Sequence, residues 1–250
     1  MYLAHQIHHM GYRCVVISRG YRGRAEKSGG IVSNGREILM GSRFAGDEPF
    51  MMASKLDGIP VIVGKNRCAA AKIAVDQFQA DVIVLDDGYQ HLKLERDIDL
   101  VLLDCASPFG NTHLLPRGTL REPLSSLKRA TACILTRCRD GDSEAVRDRC
   151  ELIRRYSPQV PLFTSSHQPY WYTVASGQPI RLEEFSNRHF CRNRDGVENE
   201  AVYGFSGIAR NADFQDAVIA LGFNAEGFLE FPDHHRYTAS DLATIRAKAG

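Results

Sequence analysis

The sequence feature that constrains this chain most is a short apolar run that ends abruptly in acid. The run from Val82 to Leu85 has the composition of a strand buried on both faces. Asp86, Asp87 and Gly88 follow it directly. In open α/β sheets, ligands bind beyond the carboxyl ends of the strands, so the two carboxylates lie where Mg²⁺ bound to a nucleotide would be held. An Asp-Asp-Gly triplet is also common in turns, and the triplet alone does not separate the two interpretations.

The composition is that of an ordinary globular chain. Its 250 residues, 44% hydrophobic and 24% charged, can bury one good core and begin a second. The formal charge of +1 argues against broad electrostatic binding to nucleic acid. The seven cysteines are odd in number and lack metal-ligand spacing, which fits a reduced cytosolic compartment. We find no run of 18 apolar residues and no signal-peptide pattern, so we expect no membrane span.

Short apolar runs recur along the chain, and helical patterns separate them. The predicted strands of the first domain are residues 15–17, 61–63, 82–85, 100–104, 133–136 and 160–163. Strands in this alternation predict an α/β fold with a doubly wound parallel sheet in residues 1–165. A two-stranded linker is predicted for residues 166–200, and a second, smaller and incomplete α/β domain for residues 201–250.

The amino-terminal segment predicts a helix, since Leu3, Ile7 and Met10 share one helical face that ends at Gly11. A βαβ architecture would place a further strand and a phosphate loop before this helix. The sequence contains no G-x-x-x-x-G-K-[ST] motif. We therefore expect that the chain is truncated at both ends.

Two loops carry further candidate chemistry. Ser18 to Arg24 is a glycine-rich basic loop, in which glycines let the backbone approach an anion and arginines clamp it; a solvated basic turn is the alternative. Asn34-Gly35 between apolar runs predicts a projecting β-hairpin. Asp47 opens a helix, where an N-cap is the common role of an aspartate. Arg67 lies just beyond the strand at residues 61–63.

Several separated motifs occur in one order along the chain. They are SRGYRGR at residues 18–24, GDEP at 46–49, DDGYQHLKLERD at 86–97, FGN at 109–111, LPRGTLREP at 115–123, GFSGIA at 204–209 and FPDHH at 231–235. With these motifs the chain resembles the tetraacyldisaccharide 4'-kinases of lipid A biosynthesis. The resemblance covers nearly all of the chain and is weakest between residues 141 and 200.

The resemblance implies a P-loop NTPase type of fold and a kinase reaction. The family transfers the γ-phosphoryl group of ATP, with Mg²⁺, to the 4'-hydroxyl of tetraacyldisaccharide 1-phosphate. It also implies a cytoplasmic protein in peripheral contact with the cytoplasmic face of a Gram-negative inner membrane, without a nucleic-acid partner.

Position and resemblance together assign three groups of site residues. The expected metal ligands are Asp86 and Asp87, with Glu122 as a weaker third. The expected substrate-binding residues lie on loops at strand carboxyl ends: Tyr21, Arg67, Gln90, His91 and Arg121. The resemblance assigns catalysis to Asp47 as general base, acting together with His234.

Two alternatives to an active lipid kinase stay open. One is a catalytically inactive fragment of such a kinase, which the missing phosphate-loop motif favours. The other is a nucleotide-dependent switch or binding protein on the same scaffold. The GDEP and FPDHH motifs would have no evident use in a switch.

Overall fold

Parallel strands with helices between them make up most of the chain. A computed structural model describes residues 1–138, 143–166, 171–172, 179–180, 201–208, 210–220, 223–233 and 235–249. The chain divides into two compact units, Met1–Ser166 and His167–Gly250. The predicted α/β class with parallel sheets is confirmed.

The first unit begins with a helix and then alternates strands with helices. Its elements are, in chain order, α1 Tyr2–His9, β1 Cys14–Ser18, β2 Gly30–Ser33, α2 Ser42–Ala45, α3 Asp47–Lys55, β3 Val61–Val63, α4 Arg67–Phe78, β4 Val82–Leu85, β5 Leu100–Asp104, a 3₁₀ helix at Leu124–Arg129, β6 Ala132–Thr136, α5 Ser143–Tyr156 and β7 Leu162–Thr164.

Four strands form the first sheet, in the spatial order β2-β3-β1-β4. β1 lies between β3 and β4 and pairs in parallel with both, so that Val16 is opposite Val61 on one side and Val84 on the other. β2 runs antiparallel to β3 and forms one edge of the sheet. β4 forms the other edge, which places the acidic triplet after Leu85 at the side of the sheet.

Alternate side chains of β1 enter two different hydrophobic cores. Val15 and Ile17 pack with residues of α4 on one face of the sheet. Cys14 and Val16 pack with residues of α1 and α3 on the other face. Helices therefore cover both faces, and this is why β1 is a continuous apolar run without alternation.

Three parallel strands form the second sheet of this unit, in the order β5-β6-β7. Cys133 and Leu135 of β6 pack with Ile153 of α5 in its core. The sequence patterns predicted one sheet, whereas the seven strands described in this unit form two. Among the described residues, no strand pairs with the free edge of β4 or with that of β5.

The Asn34-Gly35 signal marks a turn, and a short hairpin forms across it. The Asn34 carboxamide oxygen accepts main-chain N–H bonds from Arg36 and Glu37 at 2.9 and 2.8 Å. A single bridge joins Ser33 and Ile38 across the turn. The Leu39 main-chain N–H donates to the Val32 carbonyl at 2.8 Å, and β2 also pairs with β3.

The second unit contains two parallel strands that pair directly and are separated in sequence by a helix. Its elements are β8 Trp171–Tyr172, β9 Pro179–Ile180, β10 Ala201–Ser206, α6 Asn211–Ala220, β11 Asn224–Glu230 and α7 Ala239–Ala249. β10 pairs in parallel with β11, and β8 pairs antiparallel with β9. No helix in the described part of either unit combines the length and the apolar character that crossing a membrane requires.

Candidate active site

The carboxyl ends of β1 and β4 meet at Asp86. The Asp86 main-chain N–H donates to the Ile17 carbonyl at 2.9 Å and so extends the pairing of the two strands. The buried Ser18 hydroxyl donates to the Asp86 carboxylate at 2.9 Å. Parallel neighbours end at the same side of a sheet, so β1 positions the first carboxylate of the triplet from its own last residue.

Arg67 connects the ends of β3 and β4 from a buried position. It is the first residue of α4, and only 3% of its surface is exposed. Its Nη1 donates to the Gly64 carbonyl at 2.5 Å, and its Nη2 donates to the Asp86 carbonyl at 3.2 Å. Burial lowers the pKa of the guanidinium, and the carboxylates of Asp86 and Asp87 oppose that shift. Arg67 thus holds two strand ends together through their main chains.

Asp87 occupies a left-handed turn directly after Asp86. Its φ is 48°, and the following residue is a glycine because a Cβ there would lie 2.7 Å from the Leu85 Cβ. The triplet therefore does form a turn, and the turn directs the Asp87 carboxylate outward. Arg121 Nη1 donates to both of its oxygens, at 2.8 and 2.7 Å. Both side chains are more than half exposed.

Glu122 is held by a neighbouring arginine. Arg129 Nη2 donates to the Glu122 carboxylate at 2.8 Å, and the Arg129 guanidinium lies 4.6 Å from the centre of the Tyr89 ring. Burial raises the pKa of the Glu122 carboxyl, but hydrogen bonds from Arg129 and Ser126 outweigh burial and leave the pKa below its usual value. The Tyr89 hydroxyl donates to the Ser126 carbonyl at 2.6 Å and joins this group to the turn after β4.

His91 is half-buried behind the same turn. Its Nε2 is buried without a hydrogen-bond partner among the described residues. Burial lowers the pKa of the imidazole, and the positive charges of Arg67 and Arg96 lower it further. The Arg96 Nη1 group donates to the His91 carbonyl at 2.6 Å. The neutral imidazole is therefore the favoured form.

One cavity of about 1240 Å³ gathers part of the predicted site. Five of the predicted residues line it: Asp86, Asp87, Gln90, Arg121 and Glu122. The other described members of the predicted site, Tyr21, Asp47, Arg67 and His91, do not line this cavity. The structure thus brings the acidic turn together with the LPRGTLREP loop, which the sequence alone could not place beside it.

Tyr21 and Asp47 belong to two loops that pack against each other. A Cβ on Gly46 would lie 2.9 Å from the Tyr21 carbonyl oxygen, so the basic loop and the GDEP motif are in direct contact. Gly46, with φ 92°, is the N-cap of α3, and Asp47 is the first helical residue. The N-cap role considered for Asp47 is therefore wrong, and its exposed carboxylate lies at the helix N-terminus. His234 lies outside the described residues.

Comparison with known proteins decides the family. The model of the family described as LpxK, tetraacyldisaccharide-1-P 4'-kinase, matches residues 1–250. This chain belongs to the tetraacyldisaccharide 4'-kinase family. It is 37% identical to a tetraacyldisaccharide 4'-kinase from Desulfatibacillum aliphaticivorans, over 98% of this chain and 63% of the relative. It is 38% identical to one from Syntrophus aciditrophicus, over 99% of this chain and 65% of the relative.

A solved kinase of the same family has a similar fold. A crystal structure of LpxK from Aquifex aeolicus, in complex with ATP, superposes with a TM-score of 0.67 at 27% sequence identity. The match covers 95% of this chain and 68% of the Aquifex protein. The chain spans about two thirds of the length of these relatives.

The candidate site includes residues that the sequence patterns did not reveal. Ser18 was part of a predicted basic loop, and its hydroxyl bond to Asp86 follows only from the pairing of β1 with β4. Arg129 and Ser126 support Glu122 and Tyr89 from the 3₁₀ helix. The position of Ser18 at the end of a predicted strand could have marked it as a site residue. The contacts of Arg129 and Ser126 could not be predicted, because they depend on tertiary packing.

Proposed function

We propose that this chain serves the transfer of the γ-phosphoryl group of ATP to the 4'-hydroxyl of tetraacyldisaccharide 1-phosphate. The observation that carries the proposal is the cavity at the end of β4, where Asp86, Asp87 and Arg121 lie together in a chain matched over its whole length by the kinase family. The names of the relatives and the ATP in the Aquifex structure support both substrates.

In this proposal Asp86 and Asp87 hold Mg²⁺, with Glu122 as a weaker third ligand. No group of three or more His, Cys, Asp or Glu side chains among the described residues is arranged to hold a metal by itself. Mg²⁺ is commonly bound by one or two carboxylates together with substrate phosphates and water, so two adjacent carboxylates fit this ion. When bound there, Mg²⁺ would neutralise the charge that develops on the transferred phosphoryl group.

Arg121 and Asp87 exchange partners in this account. The two side chains form an ion pair in solvent, which stabilises the protein little. Binding of the acceptor lipid would draw the Arg121 guanidinium to its phosphate group, and the Asp87 carboxylate would then be free to hold Mg²⁺. Tyr21, Gln90 and His91 contact the substrate headgroup. Arg67 supports the site without contacting substrate, because its two hydrogen bonds hold the main chain at Gly64 and Asp86.

Asp47 and His234 act as the base in the proposed reaction. A carboxylate alone near pKa 4 removes a hydroxyl proton poorly, whereas a neighbouring imidazole orients it or accepts the proton onward. Asp47 is exposed at the start of α3, where a substrate hydroxyl can reach it. The reaction takes place at the cytoplasmic face of the inner membrane, with which the protein makes peripheral contact.

An inactive fragment is the second candidate, and one observation favours it. The sequence has no G-x-x-x-x-G-K-[ST] motif, so its 250 residues offer neither the backbone cradle nor the lysine that position the β- and γ-phosphates. We therefore expect this chain alone to bind ATP weakly, while the acceptor-binding residues keep their function.

Binding of the acceptor lipid tests the proposal directly. In detergent micelles the chain should bind tetraacyldisaccharide 1-phosphate about ten- to one-hundred-fold more tightly than the same lipid without its 1-phosphate, because charge-assisted bonds contribute about 1.5–3 kcal/mol. Arg121→Ala should reduce the ratio of the two lipid affinities, and Arg36→Ala, at an exposed position, should leave that ratio unchanged. Equal affinity for the two lipids in the unmodified chain would contradict a headgroup site.

A further inference from the structure

The FGN motif at residues 109–111 directly precedes the loop that carries Arg121. We propose that Asn111 is a positioning residue: its carboxamide closes this loop and thereby holds the Arg121 guanidinium where it can bind the phosphate of the acceptor lipid. The inference deepens the proposed function and rests on it for the identity of that phosphate. The positioning itself can be tested without any lipid.

The Asn111 carboxamide joins two points of the main chain. Its Oδ1 accepts from the His113 N–H at 3.2 Å, and its Nδ2 donates to the Arg117 carbonyl at 3.0 Å. An N–H group needs the amide oxygen and a carbonyl needs the amide nitrogen, so both partners require the same orientation of the carboxamide. The first bond closes a turn of the kind that asparagine favours, and the second reaches six residues along the chain.

Main-chain bonds tie the same loop across its base. Leu114 and Leu120 form a parallel bridge. The Leu120 N–H donates to the His113 carbonyl at 3.1 Å, and the Leu115 N–H donates to the Leu120 carbonyl at 2.9 Å. Because Leu120 directly precedes Arg121, the closed base of the loop also fixes where the main chain of Arg121 begins.

Gly118 lies against the carboxamide from inside the loop. A Cβ at this position would clash with the Asn111 Oδ1 and with the His113 carbonyl oxygen. The close approach therefore requires a glycine here. The Asn111 side chain is thus in direct contact with the far side of the loop as well as with its base.

The loop connects a buried anchor to an exposed cation. Phe109 is only 3% exposed, and its ring packs edge to face on Tyr156 with 5.5 Å between the ring centres. Arg121, at the other end of the loop, donates to both Asp87 carboxylate oxygens. That ion pair is exposed and holds the guanidinium only weakly. The position of Arg121 therefore depends on the loop, and Asn111 closes the loop next to its anchor.

Two substitutions separate the two bonds of Asn111. Asn111→Ala removes both of them. Asn111→Asp keeps an acceptor for the His113 N–H but replaces the donor with an oxygen, which the Arg117 carbonyl repels. Asn34→Ala is the matched control, because the Asn34 carboxamide also closes a turn, with bonds of 2.9 and 2.8 Å, and Asn34 lies outside the lining of the cavity.

The carboxyl carbon shift of Asp87 reports the position of Arg121 in the free chain. It is measured by NMR at pH 7 without lipid. Arg121→Ala should change this shift because it removes the ion pair. Both Asn111 variants should reproduce most of that change in the same direction, and Asn34→Ala should leave the shift where it is.

The lipid affinities show what the positioning does. The compared ligands are tetraacyldisaccharide 1-phosphate and the same lipid without its 1-phosphate, both in detergent micelles. Asn111→Ala should lower the ratio of the two affinities by at least about fivefold, because a charge-assisted bond needs a held geometry. Added to Arg121→Ala, it should lower the ratio no further, since both substitutions act on one contact. A residue with only a structural role would weaken both lipids equally and leave the ratio unchanged.

Three results would overturn the inference. One is an Asp87 carboxyl shift that Arg121→Ala changes and the Asn111 variants do not. Another is a shift that Arg121→Ala itself leaves unchanged, because the contact on which the inference rests would then be absent in solution. The third is an affinity ratio that falls in Arg121→Ala and stays unchanged in Asn111→Ala. Equal affinity of the unmodified chain for the two lipids would contradict the proposed function instead, and the Asp87 shift would still decide whether Asn111 positions Arg121.

Discussion

The Arg121 guanidinium donates from one nitrogen, Nη1, to both carboxylate oxygens of Asp87, at 2.8 and 2.7 Å. The two residues are 34 positions apart, and they connect the turn after β4 to the LPRGTLREP loop. Both side chains are more than half exposed, with 58% and 56% of their surface open to solvent. An ion pair this exposed joins the two loops but holds them together only weakly.

A double-mutant cycle should show that the Arg121–Asp87 pair is weak. Arg121→Ala, Asp87→Asn and the double variant should give a coupling free energy of about 0.2–1 kcal/mol in urea unfolding, because solvent screens exposed ion pairs. Arg96 and Asp99 provide the matched pair, since their side chains are only 13% and 15% exposed and form two bonds. Coupling for Arg121–Asp87 that equals or exceeds that of Arg96–Asp99 would contradict a pair that opens when substrate binds.

Arg67 should matter to folding far more than an exposed arginine does. Arg67→Met removes a buried guanidinium and its bonds to the Gly64 and Asp86 carbonyls, so we expect a loss of at least about 2 kcal/mol of unfolding free energy. Arg36→Met, at an exposed position, should change it by less than about 0.5 kcal/mol. Equal urea midpoints for the two variants would show that the strand ends do not depend on Arg67.

Asp81 should titrate far below an ordinary aspartate. Hydrogen bonds from the Arg13 side chain and then from its main-chain N–H lower the Asp81 pKa to about 2. A lowered carboxyl pKa stabilises the folded state above the unfolded pKa of about 3.9, and this contribution is lost as pH falls toward 2. Carboxyl carbon shifts followed by NMR between pH 1.5 and about 6 measure it.

The Arg13→Ala variant is the test of the cause. It should raise the Asp81 pKa part of the way toward 3.9, since the main-chain bond from residue 13 remains. Arg22→Ala, in a different loop, should leave the Asp81 pKa unchanged. A wild-type Asp81 that titrates at the ordinary value would mean that the hydrogen bonds from Arg13 do not persist in solution.

The strands were predictable because burial on both faces leaves a local signature. β1, β3 and β4 are uninterrupted apolar runs, and helices cover both faces of their sheet. The order in which the strands pair was not predictable, since strand pairing depends on which edges meet in space. The turn at Asn34-Gly35 illustrates the same limit: its local chemistry is present, and tertiary pairing with β3 decides where β2 lies.

Some residues of the candidate site were predictable from local sequence, and others were not. Asp86 and Asp87 could be located from one strand and its abrupt acidic end. Arg67 could be located in the same way. Its burial at the start of α4 could not be predicted, because an arginine beyond a strand end is more often a loop residue that faces solvent. Contacts such as Ser18 with Asp86 arise from two strands distant in sequence and leave no pattern within either one.

Phosphoryl transfer by an extended protein tests the proposed kinase function most directly. The 250-residue chain is joined at its amino terminus to the segment that precedes the matched region in the Syntrophus aciditrophicus relative. Transfer of labelled phosphoryl from ATP to tetraacyldisaccharide 1-phosphate is then followed with and without Mg²⁺. Asp47→Asn, His234→Ala and their double variant are measured beside the exposed Asp57→Asn as control.

We expect Mg²⁺-dependent transfer by the joined protein and none by the 250-residue chain alone. Asp47→Asn and His234→Ala should each lower kcat at least about one-hundred-fold, and the double variant should be little worse than either, because the two residues act as one unit. Asp57→Asn should retain full activity. A joined protein that folds and binds both substrates but transfers no phosphoryl group would contradict the account.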